Sequence, residues 1–358
     1  MIQANLKSTK FKVFFVLLLS FFILPFAFCN YSNVNDDLIK AIKDNNYDNF
    51  KIALEHGANP NTKAEHSSPL LLITLSNKQE QMSIDLILKG ADINDSYSLG
   101  MTTLFLAVNN KLSKAANLLI DFGANVSLVR QDGTNLLMMA ADRDMREVAL
   151  NILSKNKLDI NAVNKSSDTA LSLALDRNHL EMANILYKQG AKPRNIFEAI
   201  PIRDIESAKR FVEDKEQLKL LDKFGNTPLH VAYIYGNYEI ASLILRKKGT
   251  EVNVKNESNL TPIMIAAMNN NDELANLAMG YGADVLIPDI NGLTPLMYAV
   301  FYKNYDLVER ILKYNKNAAL SIDNDGSNPF SYAVGLRDKK ISEELLKVNG
   351  VINQNKAK

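Results

Sequence analysis

The chain has little of what most catalytic and metal sites require. Its 358 residues contain one cysteine, Cys29, so no disulfide can form within the chain and no cysteine pair can hold a zinc ion. The metalloprotease pattern HExxH, the hydrolase pattern GxSxG and a phosphate-binding glycine loop are missing as well. These absences argue against an enzyme, a metal centre and a bound cofactor.

A surplus of charge of one sign is also lacking. The sequence has 41 Lys and Arg residues against 40 Asp and Glu residues, a formal net charge of +1. Without the first 29 residues, 38 basic and 40 acidic residues remain. A chain so close to neutral has no general attraction for a phosphate backbone, so we do not expect nucleic acid as a partner.

One long apolar run stands near the start of the chain. It covers the 17 uncharged residues from Val13 to Cys29 and follows three lysines. A basic start, an apolar run and the small residues Ala27 and Cys29 are typical of a secretory signal peptide over residues 1–29. The run also reaches the lower limit of a membrane span, about 17–25 residues, and lipid attachment at Cys29 is a third interpretation. We therefore predict export to the periplasm or out of the cell, with membrane contact only if this segment is not cleaved.

The rest of the chain repeats itself. Six-residue segments that begin with Thr-Pro or a similar pair and end on a small residue recur with spacings of 32, 34, 33, 34, 25, 33, 34, 33 and 34. Their sixth residues are Ala41, Ile73, Ala107, Ala140, Ala174, Ala199, Ala232, Ala266, Ala299 and Ala333. A fixed period of about 33 residues indicates ten units of one supersecondary motif, from about Asp36 to Asn353.

Each unit predicts two helices and a turn. Thr227, Thr261 and Thr294 are suited to cap a helix, and the proline that follows each is tolerated at the first helical position. Alanine at the sixth position lets two helices approach closely, and a second apolar pattern follows. Glycines end that second helix at Gly57, Gly90, Gly123, Gly190 and Gly282. Residues that accept a positive φ recur seven positions before the sixth residue, at Gly100, Gly133, Gly225, Asn259, Gly292 and Gly326.

These features resemble the ankyrin-repeat family, above all the segment Thr-Pro-Leu-His-Val-Ala at 227–232 and the closing Gly-Ala-Asn or Gly-Ala-Asp turns. The resemblance implies an all-α solenoid, elongated and curved, with β-hairpin fingers between helix pairs. It also implies that the His230 ring bonds neighbouring backbone and that protein or peptide partners bind the concave face. The first and sixth units depart from the pattern because they lack Thr-Pro.

One boundary between units is about eight residues too short. The spacing from Ala174 to Ala199 is 25, so the finger between units five and six must be missing or vestigial near Lys192 to Asn195. We predict a notch or bend there, with repeats one to five in residues 30–193, repeats six to ten in 194–354 and a polar tail in 355–358. Two separately moving domains are a less favoured alternative, because no Gly/Ser-rich linker lies at this boundary.

The repeat register also predicts where a partner binds. The resemblance assigns contacts to the fingers and to the two positions after the alanine pair. Those two positions are polar in units three to five, whereas units seven to nine place apolar side chains there. The predicted binding residues are Phe224, Ile234, Tyr235, Leu260, Met268, Ile290, Leu293, Phe301 and Tyr302. The alternative is that these residues lie half-buried between fingers and only widen the core.

The function predicted from the sequence is an exported, non-catalytic module that binds a protein or a peptide. A membrane-tethered scaffold or spacer, held by an uncleaved Val13–Cys29 helix, is the alternative. A composite enzyme site at the short boundary, built from Arg194, Arg203 or Asp204, is the least favoured hypothesis. We expect neither a metal ion nor a cofactor.

Overall fold

The computed structural model describes residues 33–94 and 102–356, with side chains described up to residue 348. The predicted signal peptide or anchor and the turn residue Gly100 lie outside these ranges. The described residues divide between two compact units, Met1–Asp159 with Val163–Ser166 and Ile160–Ala162 with Ser167–Lys358. Each unit consists of paired helices that pack on the pairs before and after them.

The described residues of the first unit form four helix pairs. Their bounds are α1 Val34–Lys43, α2 Tyr47–Glu55, α3 Leu70–Ser76, α4 Glu80–Leu88, α5 Thr103–Asn109, α6 Ser113–Asp121, α7 Leu136–Asp142 and α8 Arg146–Ser154. A short 3-10 helix, Glu65–Ser67, lies between the first two pairs. Apolar residues at helical spacing face the pair's own partner and the neighbouring pairs, so the core runs through the unit.

The second unit contains the remaining pairs. Their bounds are α9 Ala170–Asp176, α10 Leu180–Lys188, α11 Ile196–Ala199, α12 Ile205–Glu213, α13 Lys215–Lys219, α14 Pro228–Ile234, α15 Tyr238–Leu245, α16 Pro262–Met268, α17 Asp272–Gly280, α18 Pro295–Phe301, α19 Tyr305–Tyr314, α20 Pro329–Gly335 and α21 Lys339–Lys356. A 3-10 helix, Lys316–Leu320, precedes α20. The predicted all-α fold is confirmed. In the described residues the fingers are turns with isolated β bridges, as between Lys63 and Pro69 and between Val129 and Asn135.

The small residue of each repeat is fixed by one backbone hydrogen bond. Its carbonyl accepts from the amide five residues on, as in Asn237 N to Ala232 O at 2.8 Å. In the second repeat this bond joins Gln79 N to Thr74 O at 2.8 Å, so the predicted Ile73 was wrong by one residue. Thr74 is fully buried there, and its hydroxyl is satisfied because it donates to the Leu71 carbonyl at 3.0 Å.

The connection between α10 and α11 is short, as predicted. Seven residues separate these helices, against fourteen between α17 and α18, and α11 has only four residues. Arg194 and Glu198 occupy this boundary, where Arg194 Nη2 lies 2.8 Å from Glu198 Oε1 and Arg194 N donates to Glu198 Oε2 at 2.9 Å. The amide of Ile196 donates to Gln217 Oε1 of α13 at 3.1 Å. Side chains therefore supply the hydrogen bonds at this boundary.

Candidate functional site

The nine predicted binding residues, called here the apolar stripe, all lie in the second unit. Four stand in the fingers: Phe224, Leu260, Ile290 and Leu293. The others lie where first helices end, on α14, α16 and α18 or directly after them: Ile234, Tyr235, Met268, Phe301 and Tyr302. The period of the sequence thus returns Ile234, Met268 and Phe301 to one equivalent position in three consecutive repeats.

Exposure divides the stripe into two groups. Phe224, Ile290 and Phe301 are 58%, 60% and 56% exposed, and Ile234 and Tyr302 are also exposed. The other members are half-buried: Tyr235, Leu260, Met268 and Leu293. Tyr235 and Leu260 pack against the hydrophobic core of the second unit. Five members therefore present apolar surface to solvent, and the half-buried four lie beneath or between them in the same repeats.

Backbone and side-chain hydrogen bonds hold neighbouring repeats in register under the stripe. Asn269 Nδ2 at the end of α16 donates to the Ile234 carbonyl at 3.4 Å. In the fingers, Glu257 N donates to the Phe224 carbonyl at 3.4 Å, and Ile290 N donates to the Ser258 carbonyl at 3.2 Å. Phe301 and Tyr302 meet edge to face, with ring centroids 5.4 Å apart. Fixed contacts of this kind hold the exposed side chains without the cost of ordering a loop.

A carboxylate or amide oxygen shapes each finger turn. Oδ1 of Asp289 accepts from the amides of Asn291 and Leu293, each at 2.8 Å. The same two backbone hydrogen bonds are accepted by Asp222, Asn256 and Asp323 in their own fingers. Tyr298 donates its hydroxyl to the other oxygen of Asp289 at 2.7 Å, and burial together with this carboxylate raises the pKa of Tyr298. These side-chain hydrogen bonds therefore fix the conformation of the turns that carry stripe residues.

Two exposed apolar residues escaped the sequence prediction. Leu221 and Ile322 are 62% and 67% exposed and stand directly before Asp222 and Asp323, four residues before the turn glycine. Of the two fingers between them, one has exposed Pro288 at this position and the other has exposed Lys255. The fixed offset from the turn residue would have identified this position. Two earlier fingers also place exposed apolar residues there, Val129 and Val163, so such residues are not confined to the repeats of the stripe.

His230 has the structural role that the resemblance implied. Its ring Nδ1 accepts from Thr227 N at 3.1 Å, and its Nε2 lies 3.0 Å from the Leu260 carbonyl of the next finger. The position of His230 is occupied by Met264 and Met297 in the next two repeats, and Thr261 N lies 3.4 Å from Met264 Sδ. The hydroxyl oxygens of Thr261 and Thr294 are buried without a hydrogen-bond partner among the described residues. Histidine is therefore a packing and bridging residue here.

Acid is expected to weaken the second unit partly through His230. Burial lowers the pKa of His230 below its ordinary value of 6.5, so the folded state holds the neutral ring. As pH falls through about 6.5, the unfolded chain binds a proton that the folded chain resists, and stability is lost. Urea unfolding at pH 7.5 and 5.5 should show a smaller acid-induced loss in His230→Met than in the wild type. An equal loss in both proteins would contradict this assignment.

The residues of the suggested composite enzyme site have structural roles of their own. Arg194 pairs with Glu198 and also donates to the Ser167 carbonyl. Asp204 caps α12 by accepting from Ser207 N at 3.0 Å, and Arg203 adopts a positive φ of 56° in the turn before it. Where side chains are described, no three His, Cys, Asp or Glu residues come close enough together to hold a metal ion. In residues 33–94 and 102–356, no helix has both the length and the apolarity needed to cross a bilayer.

Comparison with known proteins agrees with this architecture. The chain is 24% identical over 325 residues to the human transient receptor potential cation channel subfamily A member 1, which covers 84% of the chain and 29% of that protein. It is 28% identical over 184 residues to glp-1 of Caenorhabditis elegans, covering 50% of the chain and 13% of that protein. Human Rabankyrin-5 is 25% identical over 235 residues, covering 58% and 19%. The chain thus spans less than a third of the length of these relatives.

The repeats themselves match a known family. Three copies of the family described as ankyrin repeats match residues 104–197, 196–289 and 263–356. Because these segments cover well over half of the chain, the protein belongs to the ankyrin-repeat family.

Proposed function

We propose that this protein is an exported, non-catalytic interaction module that binds a protein or peptide partner through the apolar stripe of repeats seven to nine. Ankyrin repeats form protein–protein interaction modules and are generally non-catalytic. The observation that carries the proposal is the exposure of Phe224 in the finger before repeat seven and of Ile290 and Phe301 in repeat nine, on fixed turns and a helix end. Soluble proteins seldom leave a contiguous apolar surface open without a use.

The stripe also has the composition of a binding surface. Aromatic anchors such as Phe301 and Tyr302 bury a large area when a partner covers them, and they lose few rotamers in doing so. The equivalent positions of the first unit are polar and bonded to one another, as where Arg143 Nη2 donates to Asn109 Oδ1 at 2.9 Å. Such groups already have partners, so covering them gains less. These differences favour the second unit as the binding region.

Loss of a stripe aromatic should weaken partner binding without weakening the fold. The partner is first identified by crosslinking and mass spectrometry from the native cell and then purified. Tyr302→Ser and Phe301→Ser are expected to raise the Kd by about 10-fold or more, measured by calorimetry. Tyr281→Ser is the matched control, because Tyr281 is 42% exposed against 40% for Tyr302 and follows α17, outside the stripe. The thermal midpoints should stay nearly unchanged, whereas a large fall in Tyr302→Ser would assign that residue to the core.

The alternative of a membrane-tethered scaffold rests on the apolar run from Val13 to Cys29. It needs this segment to remain in the mature protein. Sequencing the mature N-terminus separates the two functions, because a chain that begins at Asn30 has no anchor. A chain that still begins at Met1 in the membrane fraction would favour the scaffold.

A further inference from the structure

Neighbouring fingers are joined by a backbone hydrogen bond at one fixed position. The residue two positions before the turn residue donates its amide to a carbonyl of the preceding finger. The bonds are Lys165 N to Asp132 O at 2.9 Å, Glu257 N to Phe224 O at 3.4 Å, Ile290 N to Ser258 O at 3.2 Å and Asn324 N to Asn291 O at 3.1 Å. In these four pairs, the earlier finger supplies the acceptor for the later one.

Lys223 breaks this rule. It stands two residues before Gly225, but the preceding finger is the one that is missing between repeats five and six. No acceptor for the Lys223 amide lies among the described residues. The finger that begins at Asp222 thus has an open edge, where the four fingers above have a neighbour. An amide at an open edge is suited to bond an extended chain that lies beside it.

The position of the missing finger, called here the slot, is bounded by repeats on both sides. Arg194 and Glu198 lie on the side of repeats five and six, and Lys223 and Phe224 on the side of repeat seven. Tyr235 reaches across repeat six, since its hydroxyl oxygen lies 3.5 Å from Asn178 Oδ1 just after α9. The short α11 leaves room for this reach. Exposed backbone, an aromatic ring and charged groups therefore meet at the slot.

Acidic and basic side chains both lie at the slot. Asp176 ends α9 and stands two residues before Asn178, which the Tyr235 hydroxyl approaches. Burial, Asp168 and Glu198 raise the pKa of Asp176. Arg194 and Lys223 act in the opposite direction. Arg194 is already bonded to Glu198 and to the Ser167 carbonyl, and Lys223 Nζ lies 5.1 Å from the centre of the Phe224 ring. No hydrogen bond to the Asp176 carboxylate is formed within the described part of the chain, so a cation from outside would find it available.

We propose that an extended segment of the partner lies in the slot in place of the missing finger. A carbonyl of this segment accepts from the Lys223 amide, a Lys or Arg side chain pairs with Asp176, and an apolar side chain packs on Phe224 and Tyr235. The inference rests on the proposed function, because the occupant is part of the partner that the apolar stripe binds. The expected occupant is an extended chain in which a basic residue stands next to an apolar one.

Selection from a random peptide library tests this proposal without knowledge of the partner. Displayed peptides of about 12 residues, long enough to cross the slot and reach the stripe, are selected on the full chain. Enriched sequences should place Lys or Arg beside an aromatic or aliphatic residue. Peptides without this pairing, or the absence of any binder, would contradict the proposal.

A matched pair of charge reversals shows where the selected peptides bind. Asp176→Lys should raise their Kd by about 10-fold or more, and Asp176→Asn by less, because a like charge repels as well as removing the ion pair. Asp142→Lys is the control, since Asp142 takes the same place in the preceding repeat, on α7. Equal Kd values for Asp176→Lys and Asp142→Lys would contradict the proposal that the peptides bind in the slot.

Restoring the missing finger gives a second test. Residues 189–195, the whole connection between α10 and α11, are replaced by the sequence of residues 281–294, which is expected to fill the slot and abolish peptide binding. If this variant does not fold, the charge reversals remain decisive. Peptides that bind Asp176→Lys normally but lose affinity for Tyr302→Ser would exclude the slot and keep the proposed function. Peptides that respond to Asp176→Lys alone would instead separate the slot from the stripe.

Discussion

Replacing Tyr233 with alanine is expected to lower the free energy of unfolding of the second unit by about 3–5 kcal/mol. Tyr233 is fully buried, and its hydroxyl donates to the Leu274 carbonyl in the next repeat at 3.2 Å. Alanine would leave a cavity of nearly a whole ring between two repeats and a carbonyl without its donor. Urea unfolding, followed by circular dichroism, measures the loss.

Two further variants separate the contributions of Tyr233. Tyr233→Phe keeps the ring and removes only the hydrogen bond, so a loss of about 1 kcal/mol is expected. Tyr238→Ala removes an exposed tyrosine five residues on, on α15, and should change the free energy of unfolding by no more than about 0.5 kcal/mol. If Tyr233→Ala is no more harmful than Tyr238→Ala, the packing between these repeats is not what the structure shows.

The second large effect is expected at the boundary that lacks a finger. Glu198 is buried, and its carboxylate accepts from Arg194 Nε at 3.2 Å, from Nη2 at 2.8 Å and from the backbone amide of Arg194 at 2.9 Å. Glu198→Ala removes the two oxygens that accept these three hydrogen bonds and leaves a partly buried guanidinium without its partner. We expect a loss of about 2–3 kcal/mol, less than for a fully buried pair because Arg194 can turn toward water.

The exposed pair of Glu206 and Lys209 on α12 is the control for Glu198. Its atoms are equally close, with Lys209 Nζ 2.8 Å from Glu206 Oε1, but both side chains face solvent. Exposed ion pairs contribute little to stability, so Glu206→Ala should leave the urea midpoint unchanged. Similar losses for Glu198→Ala and Glu206→Ala would show that burial at the short boundary does not strengthen its pair.

Much of the fold follows from local sequence signals. The Thr-Pro starts, the small residue of each repeat and the helix-ending glycines lie where the period places them, and Gly57, Gly90, Gly123, Gly190 and Gly282 all have a positive φ. Ile73 was wrong because a one-residue shift in the second repeat keeps the apolar pattern intact. Only the hydrogen bond from Gln79 to Thr74 fixes the register there.

The sequence predicted which residues form the apolar stripe, but not how far each side chain is buried. A repeat register determines which residues come to equivalent places, so Ile234 and Phe301 could be named from spacing alone. Whether such a side chain faces solvent depends on the neighbouring finger, which lies about 33 residues away in sequence. Tyr235 and Leu260 are half-buried because they pack against the hydrophobic core of the second unit, whereas Leu221 and Ile322 are exposed.

The sequence by itself determined the family, the number of residues per repeat and the place where a finger is missing, because each of these depends on local capping, helix spacing and turn chemistry. Only the tertiary structure decided which groups surround the place of the missing finger. The bond of Arg194 to the Ser167 carbonyl, the reach of Tyr235 to Asn178 and the open amide of Lys223 depend on contacts between repeats. No local signal encodes them, since each depends on where a separate repeat comes to lie.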